Sequence, residues 1–150
     1  MTLVVRDPDF EARVRASFAR QQFMATIGAR LARVMLGEVA IALSFRADLT
    51  QQHGFLHAGV VTSLVDSACG YAALTVMEPG SGVLSVEFKV NLLAPAAGTE
   101  FLAVGRVVRS GRTLVVCAGE LRAMDDEPGT VVALMQGTMM AVRGKVGLED

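Results

Sequence analysis

One carboxylate, Asp66, lies inside an otherwise uncharged stretch of the chain, residues 58–77. An ionised carboxylate is costly to bury without partners, so either this side chain has a chemical task or the stretch is less buried than its composition indicates. A positioned carboxylate can attack a carbonyl carbon or take a proton from water. The structural alternative is that Thr62, Ser63 or the backbone of another chain satisfies it by hydrogen bonds.

The stretch around Asp66 is predicted to be one long helix. The breaker EPGSG follows it at residues 78–82, and the apolar run before it begins near His57, which sets the ends near His57 and Met77. At 100° per residue the two sides of this helix differ. The side around Asp66 is mostly small or polar and suits the close approach of a ligand or another backbone: Gly59, Thr62, Ser63, Cys69, Gly70, Ala73 and Met77. The opposite side suits a sheet's core: Val60, Val61, Leu64, Ala68, Tyr71 and Ala72.

Strands are predicted on both sides of the helix. Residues 39–46 alternate between apolar and small or polar side chains after a turn at Gly37, which indicates the second arm of a β-hairpin. After the helix come four β-like runs separated by the turn sequences APAAG, RSGR and DDEPGT. These runs are Leu84 to Leu93, Glu100 to Arg109, Thr113 to Met124 and Val131 to Val142.

A short amphipathic helix is predicted before the hairpin. Asp7 and Pro8 form an N-cap and first-turn pair, and apolar residues at i, i+4 and i+8 continue the pattern to about Gln22. The order of elements predicts an α+β protein, with an antiparallel sheet whose concave face packs against the long helix. We expect one domain over residues 1–150, with the helix at about 7–22 and a core at about 27–142.

Composition limits the possible partners. The formal net charge is -1 and the pI about 6.1, which disfavours binding to nucleic acid. Asp66 disfavours a membrane span, and the charged N-terminal sequence lacks a signal-peptide core, so we expect a cytoplasmic protein. Cys69 and Cys117 have no CxxC spacing and are expected to be reduced core thiols. Hydrophobic residues reach 52 %, which indicates extra burial between identical subunits.

A six-stranded antiparallel sheet wrapped around one helix resembles the hot-dog fold. The segment HGFLHAGVVTSLVDSACGYAA resembles the signature of the phenylacetate-pathway (PaaI-like) acyl-CoA thioesterases, in which HGG opens the central helix and an acidic residue follows about two turns later. The resemblance covers roughly residues 38–142, including GVLSVEFKVNLLAPA and GRVVRSGRTLVV. It implies hydrolysis of acyl-CoA by a dimer of dimers with active sites at subunit interfaces. It implies no metal and no cofactor beyond the coenzyme A of the substrate.

Site residues follow from the resemblance by position. The backbone N–H of Ala58 would polarise the thioester carbonyl together with Gln51, and Asp66 would act as nucleophile or general base. Ala58 replaces the first glycine of HGG and Gln51 replaces the commoner Asn, two departures that bear on the substrate range. Further predicted substrate contacts are His57, which would also order the helix start, and Gly59, Ser67, Gly70 and Ser85. Contacts to the CoA nucleotide are expected from Arg109, Ser110, Gly111 and Arg112.

The spacing of the two reactive groups predicts a composite site. Asp66 lies eight residues after Ala58, which is about 12 Å along a helix axis, whereas both groups must come within about 3 Å of the reacting atoms. A two-fold dimer with antiparallel central helices would place Asp66 of one chain opposite Ala58 of the other. The identity of the acyl group in the substrate stays open.

Plainer interpretations stay open beside these. Gln51 could be only a turn residue, Ser85 only a strand residue, and Arg109 and Arg112 only solvated charges. A non-catalytic acyl-CoA-binding module is one alternative function. A hydratase or dehydratase is another, and it would need a positioned His–Asp pair.

Overall fold

A computed structural model of the chain describes residues 3–148 and 150. Its sheet has six strands in the order β1-β2-β4-β5-β6-β3, and every neighbouring pair is antiparallel. The long helix α3 packs across five of the strands, β2 to β6. The predicted fold class is confirmed. In chain order the elements are α1 (Phe10–Arg20), α2 (Gln22–Ile27), β1 (Arg30–Met35), β2 (Glu38–Ser44), a 3₁₀ turn (Ala47–Leu49), α3 (Ala58–Leu74), β3 (Gly82–Leu92), β4 (Glu100–Ser110), β5 (Leu114–Ala123) and β6 (Thr130–Val142).

The four strands after α3 match the predicted runs to within two residues at each end. Turn sequences set these ends, and alternation sets the faces. On β5, for example, the alternate residues Val115, Cys117, Gly119 and Leu121 are buried, whereas Val116, Ala118 and Glu120 between them are more exposed. Both cysteines are buried free thiols, and burial raises the pKa of Cys117 to about 12, so the expectation of core thiols is confirmed.

The N-terminal helix differs from the prediction at both ends. It begins at Phe10, and Asp7 is not its N-cap; the Asp7 carboxylate instead accepts from the Asp9 N–H at 2.9 Å and pairs with Arg13 at 3.2 Å. The helix ends at Arg20 because Gln21 adopts an extended conformation. The short helix α2, which the sequence pattern did not predict, begins directly after it.

Helix α3 ends at Leu74, one turn before the predicted end at Met77. The Arg13 side chain donates to the carbonyl oxygens of Leu74 at 2.9 Å and of Met77 at 3.0 Å, and so satisfies orphan acceptors at the helix end. Thr75 is completely buried and accepts from the Gly37 N–H at 2.7 Å. The helix end is therefore tied both to α1 and to the β1–β2 turn.

Two glycines let α3 lie directly on the sheet. Gly105 and Gly119 are paired on β4 and β5. A Cβ atom at Gly105 would lie 2.3 Å from the carbonyl carbon of Ala68, and one at Gly119 would lie 2.7 Å from the Cys69 sulfur. Side chains at these positions would hold the helix away from the strands, so the glycines set the depth at which α3 is seated.

The curved sheet covers more of α3 than the helical-wheel pattern indicated. The helical-wheel pattern places three further residues on the accessible side of Asp66, but all three are buried: Cys69, Ala73 and Met77. The expected accessibility of Ala73 and Met77 is therefore wrong, whereas the burial of Cys69 agrees with its prediction as a core thiol. Strands and the turn after the helix enclose this side as well. A narrower surface stays accessible, which we call the open stripe: His57, Ala58, Gly59, Thr62, Ser63, Asp66, Ser67 and Gly70. None of the helices in the described ranges has the length and apolarity needed to cross a bilayer.

Candidate active site

Asp66 is half-buried on the open stripe and is held by one strong hydrogen bond. The Ser85 hydroxyl on β3 donates to its Oδ1 atom at 2.7 Å. Burial raises the pKa of the Asp66 carboxyl above its ordinary value, and the bond from Ser85 partly opposes this shift. Once ionised, such a carboxylate is more basic than an exposed aspartate, as a nucleophile or general base requires.

The neighbouring hydroxyl on the helix does not satisfy Asp66. Ser63 donates to the Gly59 carbonyl oxygen at 2.7 Å, one turn earlier on α3. Ser85, nineteen residues along the chain, is the side chain that contacts the carboxylate. The second carboxylate oxygen has no donor within the described residues, and the Asp66 residue lines a cavity.

A cavity of about 320 Å³ surrounds Asp66. Ser67 and Gly70 line it together with Asp66, and their contact with substrate stays a prediction. Its far wall comes from α1 and from the end of the chain, which the sequence pattern did not connect with the site. The lining residues are Ser17, Arg20, Gln21, Asp66, Ser67, Gly70, Tyr71, Val83, Ser85 and Asp150.

The start of α3 presents one available backbone donor. His57 is the N-cap, and its Nδ1 atom accepts from the Gly59 N–H at 2.9 Å, so the predicted role of His57 in ordering the helix start is confirmed. The same bond occupies the Gly59 N–H, which is therefore not a donor for substrate. The N–H groups of Val60 and Val61 bond to the His57 carbonyl. The Ala58 N–H has no acceptor in residues 3–148 and 150, at the end where the helix dipole is positive.

Gln51 lies beside Ala58 and has two roles open to it. The side-chain Oε1 atom of Gln51 accepts from the His53 N–H. The backbone N–H of Gln51 donates to the Phe55 carbonyl at 2.9 Å, so both bonds lie within the loop. The side-chain oxygen of Gln51 therefore stabilises the loop, as the interpretation of Gln51 as a turn residue expects. The side-chain amide nitrogen has no partner in the described ranges, and Gln51 lines the same cavity as Ala58.

This second cavity, of about 490 Å³, is mostly apolar and is distinct from the first. It is lined by Gln51, Phe55, Leu56, Ala58, Val61, Leu92, Leu93, Ala94, Pro95, Ala96 and Val132, none of which lines the cavity of Asp66. Within one chain, the acid and the candidate carbonyl donors therefore open onto different cavities.

The two histidines stand apart from Asp66. His53 is exposed in the loop and contacts Gln52 at 3.3 Å, whereas His57 uses its Nδ1 atom as a helix cap. Within the described residues, no histidine forms a pair with Asp66. One chain by itself therefore does not supply the His–Asp pair that a hydratase or dehydratase would need.

The predicted nucleotide contacts lie on the β4–β5 turn. Strand pairing connects Ser85 to Met139, Met139 to Val115, and Val115 to Ser110, which places the turn about 14 Å from Ser85 along the sheet at ~4.8 Å per strand. Arg109, Gly111 and Arg112 are exposed there. Arg143, a residue that the sequence pattern did not single out, donates to the Arg112 carbonyl at 2.8 Å.

Comparisons with known proteins identify the family and support the fold. A family model described as the thioesterase superfamily matches residues 53–130. A protein of Saccharolobus solfataricus, whose name assigns it provisionally to the esterases, is 32% identical over 110 residues, which cover 73% of this chain and 76% of that protein. A thioesterase family protein from Silicibacter pomeroyi has a crystal structure with a TM-score of 0.88 and 48% identity, over 90% of this chain and 99% of that chain. The PaaI protein of E. coli, from the phenylacetic acid degradation operon, has a TM-score of 0.82 at 18% identity, over 95% and 99% of the chains, a likeness of fold alone.

The raised pKa of Asp66 predicts that Asp66→Asn stabilises the protein at neutral pH. Because the folded-state pKa lies above the unfolded value of about 3.9, stability falls as the pH rises from the unfolded value to the folded-state pKa. The cost is complete above the folded-state pKa and disappears below the unfolded value. Asparagine keeps an acceptor for Ser85 and carries no charge. Thermal unfolding should therefore give a higher Tm for Asp66→Asn at pH 7 and a vanishing difference toward about pH 3.5.

Asp125→Asn is the matched control, for which we expect the opposite change in Tm. Hydrogen bonds from the Thr99 hydroxyl and N–H lower the pKa of Asp125, so this variant should lose stability at pH 7. A lower Tm for Asp66→Asn at neutral pH would show that the surroundings stabilise the charged carboxylate, and would contradict a cost of ionisation at Asp66.

Proposed function

Because this chain belongs to the thioesterase superfamily and has the hot-dog fold, we propose that it hydrolyses acyl-CoA thioesters to the free acid and coenzyme A. The observation that carries the proposal is the half-buried carboxylate of Asp66, which Ser85 holds at 2.7 Å, which has a raised pKa, and which belongs to a residue that lines a cavity. Thioester hydrolysis needs such a group aimed at the carbonyl carbon and a donor for the developing oxyanion.

Each residue has a defined task in this reaction. The Ala58 N–H and the Gln51 side-chain amide would donate to the thioester oxygen as it becomes an oxyanion. Asp66 would attack the carbonyl carbon, with loss of the CoA thiolate and formation of a mixed anhydride that water then hydrolyses. Alternatively, Asp66 would take a proton from a water that attacks the same carbon. Ser85 orients the carboxylate in either route.

Catalysis would use two chains. Ala58 and Asp66 are eight residues apart on a helix that runs unbroken from Ala58 to Leu74, which separates them by about 12 Å. If α3 of a second copy lies antiparallel, so that Ala58 faces Asp66 of the partner subunit, the two-fold axis passes at the midpoint, Thr62. The small side chains of the open stripe leave room for this approach.

The free edge of β3 supports the same two-fold arrangement. This strand of eleven residues ends the sheet, and its outer edge has no partner strand in the part of the chain that the structure describes. Val86 is 53% exposed and Phe88 44% exposed. A long edge with exposed apolar side chains is a template for pairing with another chain. We therefore propose that β3 pairs with β3 of a second copy.

One two-fold axis can relate both the α3 helices and the β3 strands of the two copies. Ser85 lies beside Asp66, and Leu92 lines the cavity of Ala58. Antiparallel pairing centred on Phe88 would bring Ser85 close to Leu92 of the partner subunit. Because Ser85 contacts Asp66, this pairing would also bring Asp66 close to the other chain's cavity that Gln51 and Ala58 line. On the outer face, Glu87 would then lie opposite Lys89 of the partner subunit, since both are one residue from the centre. A dimer of such dimers stays a prediction.

Asp66→Asn should lower turnover by about 100-fold or more, the usual contribution of a positioned base or nucleophile. The measurement is thiol release from a panel of aryl-acetyl, benzoyl-type and medium-chain acyl-CoAs, with circular dichroism as a check on folding. Asp125→Asn, on an exposed loop, should keep the wild-type rate. A wild-type protein that binds these thioesters without releasing thiol would make the chain a binding module, and an ordinary rate in Asp66→Asn would remove this residue from the reaction.

Charge exchange on β3 tests the proposed register. Glu87→Lys alone or Lys89→Glu alone would place like charges opposite each other twice per dimer, and dimer dissociation should become roughly tenfold easier. The double variant Glu87→Lys with Lys89→Glu should recover the wild-type dissociation constant in sedimentation equilibrium. Additive weakening in the double variant would exclude the register centred on Phe88.

A further inference from the structure

The Asp150 side chain connects two of the elements that line the cavity of Asp66. The Ser17 hydroxyl on α1 donates to the Oδ1 atom of Asp150 at 2.5 Å, and Arg20 on the same helix pairs with that oxygen at 3.5 Å. On the other side, the backbone N–H of Val83 on β3 donates to the Oδ2 atom at 3.3 Å. One carboxylate therefore bridges α1 and β3 beside the cavity.

The backbone of the segment after β6 lies directly on the start of β3. A Cβ atom at Gly82 would lie 1.8 Å from the carbonyl oxygen of Leu148 and 2.8 Å from its carbonyl carbon. Within the segment, the Leu148 N–H donates to the Lys145 carbonyl at 3.1 Å, which forms a turn. A larger residue at Gly82 would therefore displace the segment, so the glycine sets how closely the segment approaches the strand.

Asp150 lies at the boundary between two cavities. The cavity of Asp66, of about 320 Å³, has a neighbour of about 260 Å³, and Arg20, Val83 and Asp150 line both of them. Because the Asp150 carboxylate bonds to α1 on one side and to β3 on the other, its side chain closes the first cavity toward the second. Loss of this side chain would join the two cavities.

The position of this boundary limits the length of a ligand that starts at Asp66. Ser85 holds Asp66, and Val83, which Asp150 holds, lies two residues earlier on β3, at about 7 Å along the strand. A closed end suits the acyl arm of a thioester, which terminates, whereas the CoA arm must continue to its nucleotide. The polar side chains at this end also disfavour a long alkyl chain, because they would lose hydration without gaining hydrogen bonds.

We propose that Asp150 determines acyl-chain specificity: it ends the cavity of Asp66 and restricts the substrate to short acyl groups. The inference rests on the proposed function for the reaction, and it names the class of acyl group that the sequence left open. Gly70 belongs to the same cavity, one helical turn after Asp66. A Cβ atom at Gly70 would lie in open space within the described part of the chain, so the cavity has free volume between Asp66 and its closed end.

The test compares kcat/KM for butanoyl-, hexanoyl-, octanoyl- and decanoyl-CoA. In wild type, kcat/KM should fall from the shorter to the longer members. Asp150→Ala opens the second cavity and should raise the ratio of kcat/KM for decanoyl-CoA over butanoyl-CoA by roughly tenfold, as expected for burial of about two further methylene groups. Asp150→Asn keeps the size of the side chain and should keep the wild-type ratio. Asp126→Ala, on the exposed loop between β5 and β6, is the matched control and should also keep it.

Two glycine variants test the same boundary without altering Asp150. Gly82→Ala displaces the segment and should raise the decanoyl-to-butanoyl ratio, in the same direction as Asp150→Ala. Gly70→Ala adds a methyl group to the cavity and should lower the ratio, and its fold should be retained because alanine favours a helix. An unchanged ratio in folded Asp150→Ala, or an equal change toward all four substrates, would overturn the proposal.

Binding of thioether analogues tests the boundary without hydrolysis. In calorimetry, Asp150→Ala should gain roughly tenfold in affinity for S-decyl-CoA relative to S-butyl-CoA, compared with wild type. If this gain is observed but wild type releases no thiol from the thioesters, the role of Asp150 stands and the hydrolytic function fails. If wild type releases thiol and Asp150→Ala leaves the relative affinities unchanged, hydrolysis stands and the role of Asp150 is overturned.

Discussion

The separation of Asp66 from the Ala58 N–H along one rigid helix constrains everything else about the site. An α-helix fixes eight residues at about 12 Å, so no rearrangement of side chains can bring both groups to one carbonyl. The fold keeps them apart further, because each group opens onto its own cavity. Within the described residues, the open stripe of α3 and the edge of β3 are also left unpartnered, and both are related to the same proposed axis. A second copy would complete the chemistry and cover these surfaces together.

Burial of Asp66 lowers the stability of the fold at neutral pH and raises the basicity of the carboxylate. Gly105 and Gly119 let α3 lie deep in the curved sheet, so that strands enclose most of the helix and only a narrow stripe remains accessible. Asp66 on that stripe loses part of its hydration, and the single bond from Ser85 does not fully compensate for the loss. The resulting carboxylate is costly to keep ionised, and for that reason it is a stronger base.

Local patterns predicted much of this structure. The strands after α3 could be placed because alternation and turn sequences act over a few residues, and His57 could be given its capping role because a helix start is a local event. The burial of Ala73 and Met77 could not be predicted, because it depends on how far the sheet curves. The short helix α2 has too few residues for a periodic signal. The contacts of Ser85 with Asp66 and of Arg143 with Arg112 join residues distant in sequence, and only strand pairing brings them together.

Mixed dimers test most directly whether two chains share one site. Ala58→Pro removes only the backbone donor, since proline suits the first position of a helix and the preceding residue, His57, is already extended. Chains with Asp66→Asn and chains with Ala58→Pro should each be inactive alone. In a random mixture, one site in about four would combine an intact carboxylate with an intact donor, so a shared site predicts recovery of about a quarter of wild-type turnover. Verified heterodimers that stay inactive would show that each chain works alone, and would contradict catalysis across the interface.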